Sequence, residues 1–339
     1  KVYSEKAYAL PETGRSNRGT LIHSVLNLEH DEHITAIQPV SDFDMPDHYF
    51  ILATRQGRIK RVNLEEFEAV RPSGLIAMSL QDDDSVGWVK HTDGSQDIIL
   101  VTQFGQGIRF QEGDVRVMGR PAGGVNAIKL QDGDIVMGMD VINPEEHTHI
   151  LVVTANGYGK RTKIEQYSRQ GRYGLGAQTL KNTPKTGDLV AMRAIKATDG
   201  IMLISRKGIV IRTDLESIRE SNRATQGVKI MNLSKSDEVV GIAITRQSLF
   251  HHVRRGLHVV VHLHPIEIEH PVLQHPVLLH GMETGLGVEQ PMGQVPKLFG
   301  MFHMFGVRHH HVGRQAVREG AHFPRRAAGR GLTCERERR

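Results

Sequence analysis

One element returns four times along this chain and limits what it can fold into. It is an apolar run, then Thr or Ser, two residues, Gly, three residues and Arg. It reads Ile51-Leu52-Ala53-Thr54 through Gly57 to Arg61, Leu100-Val101-Thr102 through Gly105 to Arg109, Val152-Val153-Thr154 through Gly157 to Arg161, and Leu203-Ile204-Ser205 through Gly208 to Arg212. The glycines stand 48, 52 and 51 residues apart. A second element follows each, a Gly with Leu six residues later: Gly74/Leu80, Gly124/Leu130, Gly174/Leu180 and Gly227/Leu233, with a weaker Gly19/Val25 ahead of them. A turn and another apolar stretch come next, as in Val86-Gly87-Trp88-Val89, Val136-Met137-Gly138-Met139 and Val239-Val240-Gly241-Ile242. Self-similarity at such a period marks a repeat architecture and outranks any local motif.

Each unit reads as several short strands, because its apolar stretches are rich in Ile and Val and bounded by Gly, Asp, Asn and Pro. Asn156-Gly157 predicts a type I′ hairpin turn, since both residues tolerate positive φ. Helices have little room, and the best candidates, 63–70 and 214–220, are short. A unit of about four strands cannot bury both its faces alone, and radial stacking of units solves this as it does in propellers. The expected fold is therefore all-β and propeller-like, with about five blades near 1–47, 48–95, 96–147, 148–198 and 199–247. Counting back from Gly19 places the preceding turn just before Lys1, so the first unit is expected to lack its leading strand and the chain to be a piece of a longer protein.

Charge divides the chain at about residue 247. Residues 1–247 carry 31 Lys and Arg against 31 Asp and Glu, whereas residues 248–339 carry 12 against 7. A uniformly basic protein is excluded, and any nucleic-acid role falls to local charge placement. The last 92 residues hold 13 of the 20 histidines, 11 Arg against one Lys, and no Asp, Asn, Tyr or Trp. Their histidine clusters follow neither a helical nor a strand period and repeat no ligand spacing. We read 248–339 as disordered or out-of-frame sequence, with a histidine metal tract or a basic nucleic-acid tail as the competing readings. Cys334, the only cysteine, excludes a disulfide scaffold and any cysteine zinc cluster and fits a reducing cytoplasm. No apolar run approaches the roughly 18 residues that span a bilayer.

With these residues in view, the body resembles the C-terminal domain of the bacterial DNA gyrase A subunit. The resemblance is carried by Val2-Tyr3-Ser4-Glu5-Lys6-Ala7-Tyr8-Ala9-Leu10-Pro11-Glu12, Asn156-Gly157-Tyr158-Gly159-Lys160-Arg161-Thr162 and Ala224-Thr225-Gln226-Gly227-Val228, and runs to about residue 245. It implies a six-bladed β-pinwheel whose blades exchange strands, of which this chain would hold blades two to six. It implies that double-stranded DNA wraps around a basic rim, in support of ATP-dependent negative supercoiling with the gyrase B subunit and the N-terminal part of the gyrase A subunit. The family's catalytic tyrosine, ATP and Mg belong to other regions, so no catalytic residue, cofactor or metal is expected in this segment. The basic glycine-rich box that marks gyrase would lie upstream of Lys1, which leaves the topoisomerase IV C subunit open. A propeller scaffold for acidic protein partners is a second alternative, from another class.

Wrapping needs cations along a curved path and no base-specific contact. Two arginine sets recur. One is the hairpin column Arg61, Arg109, Arg161 and Arg212, where a guanidinium can either join blades through carbonyls or meet phosphate. The other lies in the loop before the second glycine: Arg15, Arg18, Arg71, Arg116, Arg120, Arg169, Arg172, Arg219 and Arg223. Gly14, Gly119 and Gly171 among them would let backbone N–H groups approach phosphate as well. Lys60, Lys160, Lys163 and Lys207 add charge on or near the hairpins. Asp82-Asp83-Asp84 and Asp132-Gly133-Asp134 resemble pieces of calcium loops, but their shared repeat position fits turn chemistry better. His91, His147 and His149 fall in expected loops with no nucleophile nearby.

Overall fold

A computed structural model of the protein describes residues 1–14, 17–29, 32–245, 262–263 and 301–308. Within them the repeat takes one form. A leading strand turns tightly into a hairpin strand, a single turn of 3-10 helix and a long loop follow, and a closing strand returns beside the leading strand. The three strands are Tyr49–Thr54, Arg58–Asn63 and Val86–Thr92 in the second sheet, and Asp97–Thr102, Gln106–Gln111 and Val136–Ile142 in the third. They are His149–Thr154, Tyr158–Lys163 and Leu189–Ile195 in the fourth, and Gly200–Ser205, Val210–Asp214 and Val239–Thr245 in the fifth. All pair antiparallel.

The hairpin turn explains the motif. Gly57, Gly105, Gly157 and Gly208 each donate N–H to the carbonyl of the Thr or Ser three residues back, at 3.0–3.1 Å. That residue's hydroxyl accepts the next N–H, from Arg58, Gln106, Tyr158 and Ile209, at 3.1–3.2 Å. Only the glycine has positive φ, at +78° to +84°. The turn is thus a type I turn closed by a left-handed glycine, not the type I′ turn expected at Asn156-Gly157, because Asn156 keeps negative φ. The short helices are 3-10 turns at Leu64–Phe67 and Leu215–Ser217, with counterparts at Glu112–Asp114 and Ile164–Gln166. A bulge falls at the same place in all four sheets, between Ala53/Thr54, Val101/Thr102, Val153/Thr154 and Ile204/Ser205.

Each loop then lends two residues to the sheet before it. Val125–Asn126 pairs with Arg58 and Ile59, Ala177–Gln178 with Gln106 and Gly107, and Val228–Lys229 with Tyr158 and Gly159. The glycine that opens each lent segment has φ of +73° to +78°: Gly74, Gly124, Gly176 and Gly227. In the fourth repeat this glycine is Gly176 and not the expected Gly174. Leu180 accordingly takes the place of Ile128 and Met231 against the neighbouring turn glycine, and Asn182 takes that of Leu130 and Leu233. A Cβ at Gly227 would lie 2.6 Å from the carbonyl oxygen of Gly159.

The cores lie between sheets. Phe50 and Leu52 pack with Val2, Ala36 and Val40, whereas Ile51 and Ala53 pack with Ile98, Leu100 and Phe110. Alternate residues of one strand thus serve opposite junctions, so both faces are buried and the apolar runs are continuous rather than alternating. Two more junctions follow, Ile99 and Val101 with Ile150 and Val152, then Leu151 and Val153 with Ile201 and Leu203. Closing strands of successive sheets lie against one another, which leaves hairpin and lent strands on the opposite edge.

The first sheet departs from the pattern. It holds Val2–Lys6 and Glu32–Val40, and the leading-strand slot between them is filled by Met301–Arg308. Part of the segment read as lacking strand character therefore pairs, since main-chain hydrogen bonds need no side-chain period. His262–Leu263 pairs with the closing strand of the fifth sheet. The rest of 248–339 lies outside the described residues.

Candidate nucleic-acid interface

The hairpin arginines join blades. Arg109 donates to Asp97 at 2.6 and 2.8 Å and to the carbonyls of Ile164 and Tyr167 in the next repeat. Arg161 donates to the carbonyls of Ile218 and Glu216. Arg61 lies over the Tyr49 ring and 3.5 Å from Glu112, a carboxyl whose pKa burial pushes up. Arg212 holds the same strand position but is exposed, as are Ile209 and Val210, because among the described residues no lent strand covers Val210–Asp214.

Lys60 and Lys160 are fully buried. The Lys60 ammonium donates to the carbonyls of Ala77 and Arg120, and that of Lys160 to the carbonyls of Asn222 and Arg223 and to the Thr225 hydroxyl. Neither reaches solvent, so a direct role on DNA for these two is corrected: their apolar stems fill the blade junction and their charged ends are taken up inside the fold. Lys163 is exposed beside Glu220 at 3.7 Å, and Lys207 donates to the Lys235 carbonyl at 2.8 Å.

The loop arginines divide. Parallel bridges from Arg61 to Val117, Arg109 to Arg169 and Arg161 to Glu220 align the loops, which makes Arg120, Arg172 and Arg223 equivalent, each four residues before its left-handed glycine. Arg15 stands four before Gly19 but lies outside the described residues. Arg172 donates to the carbonyls of Asp114 and Asn126, both at 2.7 Å. Arg120 approaches Glu66, and Arg223 lies 5.9 Å above the Tyr167 ring. Arg169 is half-exposed and pairs with Asp97 at 2.9 Å. Arg18, Arg71, Arg116 and Arg219 are exposed.

Sequence reasoning missed three features. Arg58 donates to the carbonyls of Gly123 and Gly124 at 2.7 Å. It belongs to no column, since Gln106, Tyr158 and Ile209 take its place, so no repeat signal could find it. Lys185 and Lys229 flank the Tyr158 ring at 5.6 and 5.9 Å in an open cleft of about 400 Å³. Asp140, buried between Lys90 and Arg193, has its carboxyl held below the usual range by those cations against the cost of burial.

Asp84, Asp134 and Asp237 cap turns. Each Oδ1 accepts from a hairpin-turn N–H, of Gln56, Phe104 and Lys207, at 3.0–3.1 Å, and from the residue that follows it. Among the described residues no group of three or more His, Cys, Asp or Glu could hold a metal, and no helix is long and apolar enough to cross a membrane. His149 meets Glu220 at 2.9 Å and His91 meets His48 at 3.0 Å.

Sheets that borrow their outer strand from the next repeat define a β-pinwheel, a propeller relative. The chain belongs to the family described as DNA gyrase C-terminal domain, beta-propeller, which matches residues 1–41, 48–90, 96–143, 148–196 and 201–246. The DNA gyrase A subunit of Staphylococcus epidermidis (strain ATCC 12228 / FDA PCI 1200) is 37% identical over 243 residues, covering 72% of this chain and 27% of that protein. The DNA gyrase A subunit of Haloquadratum walsbyi (strain DSM 16790 / HBSQ001) is 39% identical over 245 residues, 71% of this chain and 29% of that one. The chain thus spans under a third of the length of these relatives. Among solved structures, the C-terminal domain of DNA topoisomerase IV superposes with a TM-score of 0.63 at 26% identity, covering 67% of this chain and 71% of that one. The DNA gyrase A C-terminal domain superposes at 0.60 and 28%, covering 66% and 74%.

Proposed function

We propose that residues 1–247 form the DNA-binding and DNA-wrapping part of a gyrase A subunit. The observation that carries this reading is the series of loop arginines at one position of successive repeats, Arg120, Arg172 and Arg223, with exposed Arg71, Arg116, Arg169 and Arg219 beside them. Evenly stepped cations on one edge suit phosphates along a bent duplex and make no demand on base sequence. Arg18, Lys163, Lys207 and Arg212 extend the same charge. The segment contributes geometry; strand passage, ATP hydrolysis and pairing with the gyrase B subunit belong to the rest of a bacterial, cytoplasmic enzyme. Relatives that are gyrase A subunits at 37–39% identity favour this over the topoisomerase IV C subunit.

The test ligates nicked circular DNA in the presence of the chain at low salt and measures linking number. A shift that scales with protein supports wrapping. Binding without any shift, or capture of acidic proteins in preference to DNA, would favour the scaffold reading.

A further inference from the structure

Beneath the arginine loops, one hairpin-strand position alternates in chemistry. It pairs with Leu52, Leu100, Val152 and Leu203 and is occupied by Lys60, Ile108, Lys160 and Ile211. Ile108 is as fully buried as the two lysines, so an apolar side chain fills the junction adequately. A buried ammonium costs desolvation that an isoleucine does not. Something other than packing is gained where lysine stands.

The difference lies in how the next loop is held. Where Lys60 and Lys160 stand, the carbonyls of Arg120 and of Arg223 with Asn222 are bound from inside. Among the described residues, those two guanidinium groups then meet Glu66 and the Tyr167 ring and no main-chain carbonyl. Where Ile108 stands no ammonium is at hand, and Arg172 ties its own loop down, with Nε on the Asp114 carbonyl and Nη1 on that of Asn126. Two of its five N–H donors are thereby held within the protein, which leaves it fewer for phosphate.

We propose that Lys60 and Lys160 are positioning residues for DNA binding: each grips the backbone of the next blade's arginine loop from within, so that the Arg120 and Arg223 guanidinium groups need not tie down their own loops and can turn to phosphate. This rests on the DNA-wrapping reading. It also gives DNA binding a pH dependence. Burial lowers the pKa of Lys60 to about 8, with Glu66 opposing and Arg120 adding, and that of Lys160 to about 7, with Arg223 adding. The grip is complete well below these values and weakens as pH rises through them.

The test measures affinity of the whole chain for a mixed-sequence duplex against salt and pH. Lys60→Met combined with Lys160→Met should weaken binding at about pH 6 by roughly 3–10-fold, the scale of one lost hydrogen bond. The slope of log affinity against log salt should not change, and the decline of wild-type affinity towards about pH 9 should be lost. Arg223→Ala, by contrast, should make the slope shallower by about one. Unchanged affinity and pH profile in the double variant would overturn the proposal. So would a slope shallower by about 0.9 for either lysine or about 1.8 for both, which would make them direct phosphate ligands. Should the methionine variant misfold, Lys160→Ile copies the residue that position 108 already accommodates and is read the same way. Failure of the wild-type chain to bind DNA at low salt would instead remove the wrapping reading itself.

Discussion

Thr154 shows how much one hydroxyl settles at the residue scale. Its Oγ1 accepts the Tyr158 N–H at 3.2 Å while its carbonyl accepts that of Gly157, so one side chain closes the turn that starts a blade. Thr154→Val, which keeps the shape and removes the acceptor, should cost about 1 kcal/mol in urea denaturation. Gly227→Ala should cost more, on the order of 2 kcal/mol or above, because positive φ and a 2.6 Å approach to the Gly159 carbonyl both forbid a Cβ. Lys160 adds a pH effect of opposite sign to its effect on DNA. Its folded pKa of about 7 lies below the ordinary lysine value of 10.5, so between these the unfolded chain binds more protons and stability rises with pH. The melting temperature should climb from about pH 7 towards 10, and more shallowly in Lys160→Met.

Between elements, the junction around Asp97 is the clearest test of what holds neighbouring blades. Its Oδ2 receives both Arg109 and Arg169 while the carboxylate is only 3% exposed. Asp97→Ala would leave the Arg109 charge, 14% exposed, without its carboxylate, at a cost of about 3–5 kcal/mol in chemical denaturation. This level also marks the limit of what the sequence discloses. The blades were legible because turn, bulge and strand chemistry is local and recurs with the repeat. Arg109 and Arg161 were legible as a column that either joins blades or meets phosphate, but the sequence could not choose between the two, since main-chain carbonyls of the following repeat carry no residue signature. Gly176 was hidden by Gly174, which offered the same letter two residues early. Lys60 and Lys160 read as surface charge because charged residues are rarely buried, and only their shared position with Ile108 betrays the inward direction.

For the whole molecule, wrapping predicts additivity along the edge. Arg116→Ala with Arg219→Ala should make the salt dependence of DNA binding shallower by about 1.8, or 0.9 for each phosphate no longer neutralised, as read from affinity across a salt series. The lent strands impose a direction as well. The sheet built on Tyr158–Lys163 is finished by Val228 and Lys229, and the one before it by Ala177 and Gln178. On a translating ribosome, then, the second, third and fourth sheets cannot close their outer edges until the loop of the following repeat has emerged, whereas the first sheet waits for Met301–Arg308 to fill its centre.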